Sequence, residues 1–313
     1  MKYLITGGAG FIGSSLAKEL IKNGHEVTVI DDLSMGKKEN LDIERIHFVE
    51  GDIRNKELME KLFNETQFDY VFLLAAIASV ADSIQRPIET HEVNLDANLN
   101  ILELIKEKQK NIRRVVFASS AAVYGDDPSL PKKENSQIKP LSPYAVDKFA
   151  SEQFVLLYND LYNVPGSAVR FFNVYGMNQN PQSPYSGVLS IITDRYKQKV
   201  AGENAIFNVF GDGKQERDFV FIDDVVQALI LVSESKNSRG NVYNVGTGKA
   251  TSLNKIISIY DDYFQSSLKI NYLPTREGDI RYSYSNIDKL KSLGFTPKYS
   301  VENGIKLYLE NEL

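Results

Sequence analysis

Short apolar runs alternate with helical patterns along the first half of the chain. Tyr3–Thr6, Glu26–Ile30, Ile46–Val49, Tyr70–Ala75, Val115–Ser119 and Ser167–Phe171 read as strands. They are rich in Val, Ile, Leu or Phe and mostly apolar on both faces. Such strands belong in a parallel sheet covered by helices on each side. Between them, Phe11–Asn23, Lys56–Asn64, Val93–Lys108 and Tyr144–Tyr162 carry helical patterns. The alternation predicts an α/β fold built on a doubly wound parallel sheet.

Beyond Phe172 the texture changes. Residues 176–187 set Gly176, Pro181, Pro184 and Gly187 among Asn, Gln and Ser, a loop-like composition. Phe219–Phe221 and Val225–Ser233 read as a further strand and helix of the main sheet. Leu268–Tyr272 and Ile287–Gly294 read as parts of a smaller lobe. The expected division is a nucleotide-binding domain over 1–176 and a C-terminal α/β lobe over 177–313. Residues 219–246 return to the main sheet, and a cleft lies between the lobes.

Composition narrows the chemistry. Apolar residues make up 42% of the 313 and charged residues 25%, as in ordinary globular chains. The net charge is −5, with no basic block, which weighs against nucleic acid or an anionic membrane as the main partner. The longest low-charge apolar stretch, Val71–Ala81, is far shorter than the roughly 20 residues that span a bilayer. With no basic, apolar leader at the N-terminus, a cytoplasmic protein is expected. Cysteine is absent, which excludes disulfides, a thiolate nucleophile and zinc sites that need sulfur. His25, His47 and His91 are the only histidines and lie far apart, which disfavours a metal site or a Ser-His-Asp triad.

Thr6-Gly7-Gly8-Ala9-Gly10-Phe11-Ile12-Gly13 follows the first predicted strand and opens a helix. Gly8, Gly10 and Gly13 fit G-x-G-x-x-G, and Gly7, Gly10 and Gly13 fit G-x-x-G-x-x-G. Glycines permit the tight turn and close approach of backbone to a pyrophosphate, and the helix N-terminus supplies N–H donors. Asp31 ends the second strand, where a carboxylate can bond the adenosine ribose hydroxyls. Asp31 and Asp32 would repel a 2′-phosphate and no Arg is adjacent, so NAD is favoured over NADP. Asp52 and Ile53 follow the third strand and could meet the adenine.

Tyr144 and Lys148 form the one Y-x-x-x-K pair in the chain. Ser142-Pro143 precedes it and marks a helix start. One turn apart, the two side chains face the same way. A phenol with an ordinary pKa of about 10 acts as a base near neutrality only if its anion is stabilised. A nearby ammonium and a positive nicotinamide would both do so. Ser119-Ser120 ends the fifth strand, at the sheet edge where such folds bind ligands. A hydroxyl there could bond the same substrate oxygen as Tyr144.

TGGAGFIGS, GDIR, SSAAVYGD, SPYAVDK, RFFNVYG, GDGKQERDFVFIDD and REGD occur in this order across nearly the whole chain. Together they resemble the extended short-chain dehydrogenase/reductases, and more narrowly the UDP-hexose 4-epimerases. The resemblance implies a Rossmann fold, bound NAD held by Gly7–Gly13, Asp31, Asp32, Asp52, Ile53, Ala75 and Asn94, and a UDP-sugar substrate. It implies that Tyr144 takes the O4 proton while hydride leaves C4. Lys148 would bind the nicotinamide ribose, and Ser120 would bond O4. Ser79 falls where relatives contact the hexose, and Asn173 and Val188 fall among substrate-contacting positions. Arg217 and Arg276 would pair with the diphosphate, Asp279 would meet the uridine ribose and Phe210 the uracil. Ser283 would border the sugar C2 substituent, and its small size would admit an N-acetyl group.

Related 4,6-dehydratases carry an Asp-Glu pair where this chain has Ala121 and Ala122. Decarboxylases carry a Glu in that region, and GDP-fucose synthases use Cys. Leu73 departs from a family position that usually holds His. A UDP-uronate 4-epimerase and a non-catalytic NAD-binding regulator remain the alternative readings. Family members pair two helices into a dimer, here Val93–Lys108 and Tyr144–Tyr162. Their stripes are Leu95, Leu99 and Leu102, and Phe154, Leu157 and Leu161, so a homodimer is expected.

Overall fold

Leu4 and Ile5 are both fully buried, although neighbouring strand residues point to opposite faces. The first strand therefore lies inside a sheet covered on both sides. A computed structural model describes residues 1–179, 187–275 and 280–312. Strands and helices alternate as β1 (Lys2–Thr6), α1 (Phe11–Lys22), β2 (Glu26–Asp31), β3 (His47–Glu50), α2 (Lys56–Glu65) and β4 (Tyr70–Leu73). Then come α3 (Val80–Gln85), α4 (Pro87–His91), α5 (Ala97–Lys108), β5 (Arg114–Ser120), α6 (Pro143–Tyr162), β6 (Gly166–Phe171) and β7 (Asn173–Tyr175).

The rest of the chain gives α7 (Val188–Val200), β8 (Ile206–Phe210), β9 (Glu216–Arg217), β10 (Phe219–Phe221) and α8 (Ile222–Glu234). It continues as β11 (Val242–Val245), β12 (Thr251–Ser252), α9 (Leu253–Phe264), β13 (Lys269–Leu273), β14 (Tyr282–Ser283), α10 (Asp288–Lys291) and α11 (Val301–Glu312). Seven strands form one sheet in the order β11-β6-β5-β4-β1-β2-β3, and every pairing in it is parallel. This is the doubly wound Rossmann arrangement. Separate apolar cores cover its faces, one with Leu16, Leu20 and Val225, the other with Leu62, Ile101 and Val155. Among the described residues no helix is long and apolar enough to cross a membrane.

Three local expectations change. Phe219–Phe221 does not join the main sheet; it pairs with Asn173–Tyr175 in a two-stranded parallel sheet. Val242–Val245 takes the edge beside β6 instead, so of residues 219–246 this strand makes the return. β4 ends at Leu73, because the next two amide N–H groups leave the ladder for the Thr6 hydroxyl, at 3.1 and 3.2 Å. The helix expected at Val93 begins upstream, with α4, and passes through a π-helical turn at Glu92–Asp96 before α5. That turn leaves the Asn94 carbonyl to accept both the Ser151 hydroxyl and the Asn98 amide.

Smaller sheets carry the C-terminal segments. β8 pairs with β13, and β9 lies between β12 and β14. α10, from the segment expected in the smaller lobe, packs on the edge strand β11 of the main sheet.

Candidate active site

The glycine loop joins β1 to α1 beneath the C-terminal edge of the sheet. Gly7 has φ +69°, and a Cβ there would lie 2.7 Å from the Ala75 backbone. A Cβ at Gly13 would lie 2.3 Å from the Gly7 carbonyl oxygen. These two glycines let strand, helix and β4 end close together. Gly10 is different, since a Cβ there would meet only the Gly7 carbonyl, at 3.3 Å, and its outer side is open. Gly10 is also the N-cap of α1 and no side chain caps this helix end. The first-turn donors of Phe11, Ile12 and Gly13 thus suit an anion rather than a protein acceptor.

Asp31 is buried and accepts the Ala9 N–H at 2.9 Å and the Leu33 N–H at 2.9 Å. Burial pushes its carboxyl above the ordinary value, while the backbone N–H groups pull against that. Its carboxylate shapes the glycine loop from below. Asp32 is exposed and bonds Ser34. Asp52 binds Arg54 through two guanidinium nitrogens, at 2.7 and 2.9 Å, which holds its carboxyl below the usual range. Ile53 enters the core below. Asn94 is fully buried and clamps both the N–H and the C=O of Ile77, at 2.9 and 3.0 Å. It fixes the segment after β4 that includes Ala75. The cradle fits a dinucleotide: it offers open glycine backbone, an uncapped helix start and an acid at the end of the second strand.

Ser142 caps α6 by accepting the Ala145 N–H at 3.2 Å, and Pro143 occupies the first helical position. This start sets Tyr144 and Lys148 against the end of β5. The Ser120 hydroxyl lies close enough to the Tyr144 phenol to act on its pKa. Lys148 is buried and its Nζ donates to the Ala118 carbonyl at 2.9 Å. The same ammonium lies 5.9 Å from the Tyr144 ring centroid. Burial pushes the phenol up, and the nearby Ser120 hydroxyl pulls it partly back. Burial pushes the Lys148 ammonium down to about 8, against the pull of Asp147.

The candidate substrate residues sit on several elements. Ser79 is buried and its hydroxyl caps α3 through the Asp82 N–H at 2.9 Å. Asn173 begins β7 with an exposed side chain, and Val188 begins α7, half-buried. Phe210 ends β8, half-buried. Arg217, on β9, is the register partner of Ser283, on β14. Arg276 and Asp279 lie outside the described residues.

Sequence reading missed a buried network behind the candidate catalytic residues. Glu152 and Arg170 form a two-pronged ion pair at 2.6 and 2.9 Å, and Ser119 donates to the same carboxylate at 2.7 Å. Arg170 reaches on to the Tyr124 hydroxyl, which donates to Asn244 at 2.6 Å. This network locks β5, β6, α6 and β11 directly under Ser120. Asp218 is equally buried and accepts from Thr247, Gly248 and Ser285, fixing β9 to the loop after β11. Asp147, inside the Y-x-x-x-K segment, bonds His91 at 2.7 Å. Only the local acid was visible in the sequence; its partner lies 56 residues away.

The model of the NAD dependent epimerase/dehydratase family matches residues 3–246. The chain belongs to this family. Among solved structures, a UDP-glucose 4-epimerase from Thermotoga maritima, with UDP-glucose, is 36% identical. It covers 99% of this chain and 98% of its own, with a TM-score of 0.92. A UDP-N-acetylglucosamine 4-epimerase from Methanobrevibacter ruminantium, in complex with UDP-N-acetylmuramic acid, is 35% identical. Its coverage is 99% and 97%, with a TM-score of 0.90. A UDP-glucuronic acid 4-epimerase from Bacillus cereus, with NAD, is 29% identical. Its coverage is 99% and 98%, with a TM-score of 0.88. For this epimerase-family chain, NAD is the cofactor, and the glycine cradle is its candidate site.

Proposed function

We propose that this NAD-dependent UDP-sugar 4-epimerase interconverts UDP-glucose with UDP-galactose, and UDP-N-acetylglucosamine with UDP-N-acetylgalactosamine, through a 4-keto sugar. The observation that carries the reading is the buried Lys148 ammonium 5.9 Å from the Tyr144 ring, with the Ser120 hydroxyl near the phenol, in a site whose next residues are Ala121 and Ala122. That set can move one proton at O4 and has no acid pair with which to expel water. Bound NAD supplies the hydride acceptor and a positive charge near the phenol.

In this reading Tyr144 takes the O4 proton and later returns it. Ser120 orients O4 by hydrogen bonding. Lys148 adds positive charge that favours the phenolate, offsetting the burial that disfavours it. Arg217 binds the diphosphate as a guanidinium fork, with Arg276 as its partner. Phe210 packs on the uracil, and Asp279 meets the uridine ribose.

NMR of purified protein with UDP-glucose, UDP-N-acetylglucosamine and UDP-glucuronate tests the substrate class. Epimerisation of the first two is expected. Turnover of UDP-glucuronate alone would select the uronate reading, which the likeness to the Bacillus cereus enzyme favours. No turnover of any of the three would overturn the proposal.

The chain is also proposed to act as a homodimer through α5 and α6. Leu157 and Leu161 are exposed on α6, while Leu95, Leu99 and Phe154 are half-buried. Leu102 departs from the expected stripe, because it is buried in the chain's own core.

A further inference from the structure

A cavity of about 600 Å³ opens at the opposite edge of the sheet from the active site. Arg114 begins β5 and Ser120 ends it, so the two sites lie roughly 20 Å apart along the strand. Six cationic side chains line the cavity: Lys106, Lys110, Arg113, Arg114, Lys236 and Arg239. No carboxylate is among its lining residues. Lys106 is paired with Glu103, and Arg113 with Asp69. The other four form no ion pair among the described residues.

Arg114 is the unusual member. It is 5% exposed and its Nη2 donates to the Ser235 carbonyl at 2.8 Å. Its Nε and Nη1 are buried without a hydrogen-bond partner. Buried guanidinium donors left unpaired are costly, and an anion is the acceptor that satisfies a fork of this shape. Burial and the neighbouring Arg239 both push the Arg114 guanidinium below its ordinary value. The site therefore holds more positive charge than its protein surroundings balance.

Helix ends account for part of this charge. α5, α6 and α8 all finish here, and each C-terminus carries about half a negative charge. Three such ends balance only part of four unpaired cations. Arg239 is held in place by Asn159, at 2.7 Å, and by Asn163, so its guanidinium stands ready rather than free to swing.

We propose that this cavity is a binding site for an oligophosphate anion, separate from the catalytic cleft. The number of unpaired cations suits a ligand with several charges better than a single carboxylate. Tyr162, half-exposed at the rim with the Lys106 ammonium 4.7 Å from its ring, offers an aromatic face beside the anion.

Calorimetric titration of the NAD-bound protein with inorganic tripolyphosphate tests the site. UDP is kept saturating, so that the sugar-nucleotide cleft cannot take up the probe. One equivalent should bind, with affinity falling as salt rises. The surface double variant Lys236→Ala/Arg239→Ala should bind at least tenfold more weakly and keep its epimerase activity. Arg114→Met should lose binding as well, with folding checked by circular dichroism. If that variant does not fold, the surface pair decides the question. Absence of saturable binding in the UDP-saturated wild type, or equal affinity in the surface double variant, overturns the proposal.

Discussion

The Lys148 ammonium is held 2.9 Å from the Ala118 carbonyl oxygen, at the end of β5. This bond anchors a buried cation beside the Tyr144 ring and fixes it two residues before Ser120. The proposed proton acceptor, the proposed hydroxyl partner and the cation are thus set by a single strand end and a single helix start. Burial works against both charged forms: it raises the phenol and lowers the ammonium. The site is poised to respond strongly to any added positive charge.

Tyr144→Phe should nearly abolish turnover and leave the fold intact. The ring keeps its packing while the proton acceptor is removed. General-base contributions are typically about 10²–10⁴-fold, and a loss of that order in kcat is expected. Activity within a fewfold of wild type, with a normal melting curve, would remove Tyr144 from the reaction.

Purified protein should carry NAD. Asp31 occupies the cradle floor as a buried carboxylate, and a 2′-phosphate beside it would meet a like charge. Denaturing the protein and assaying the released nucleotide reads the result. Recovery of NADP would overturn the role given to Asp31 and Asp32.

The parts legible in the sequence were those whose partners are close along the chain. The glycine turn, the Ser142-Pro143 helix start and the Tyr144/Lys148 spacing are local patterns, and each holds. The same periodicity could not reveal which strand Phe219–Phe221 would join, since an apolar run carries no address for its neighbour. Nor could it show the π-helical turn, which exists to free the Asn94 carbonyl for Ser151 on another helix. Glu152 and Arg170 lie 18 residues apart, and only folding brings them together with Ser119 beneath the site. Arg276 and Asp279 rest on their motif alone.

Stability should decline through His91 as pH rises above its ordinary value of about 6.5. The hydrogen bond to Asp147 raises the His91 pKa in the folded state. A raised histidine stabilises fully below its unfolded value of about 6.5, and that contribution is lost as pH rises through the folded value. Asp147 is also raised, chiefly by burial, with the His91 hydrogen bond pulling it back. The His91 side chain is 48% exposed, so solvent screening keeps the effect below about 1 kcal/mol. His91→Gln keeps a donor for Asp147 and removes the charge. Thermal melts across this range should flatten in the variant, and an unchanged slope would refute the pairing's role.

Light scattering at micromolar concentration should report a dimer. Leu157 and Leu161 are 47% and 66% exposed on α6, and Tyr162 continues the same exposed end. Exposed apolar side chains grouped on one helix suit a protein interface. Leu161→Glu should shift the mass toward the monomer. A monomeric mass for the wild type would refute the dimer.

Ser283 is predicted to set the breadth of sugar recognition. It is the register partner of Arg217, the proposed diphosphate ligand, so residue 283 sits beside the residue proposed to hold the nucleotide sugar. Its backbone cannot easily retreat, because the Ser283 carbonyl accepts the Asp218 N–H at 3.0 Å. Asp218 is in turn fixed by Thr247, Gly248 and Ser285. A tyrosine on this anchored strand would project its ring toward the C2 substituent, where serine leaves space. Forcing an N-acetyl group against such a ring should cost about 1–3 kcal/mol of overpacking. Each 1.4 kcal/mol is about tenfold, so Ser283→Tyr should lower kcat/KM for UDP-N-acetylglucosamine by about ten- to a hundredfold. UDP-galactose, with only a hydroxyl at C2, should lose far less. Kinetics of the variant on both substrates decide the point: equal loss on both, or no loss on either, would take Ser283 out of the gate.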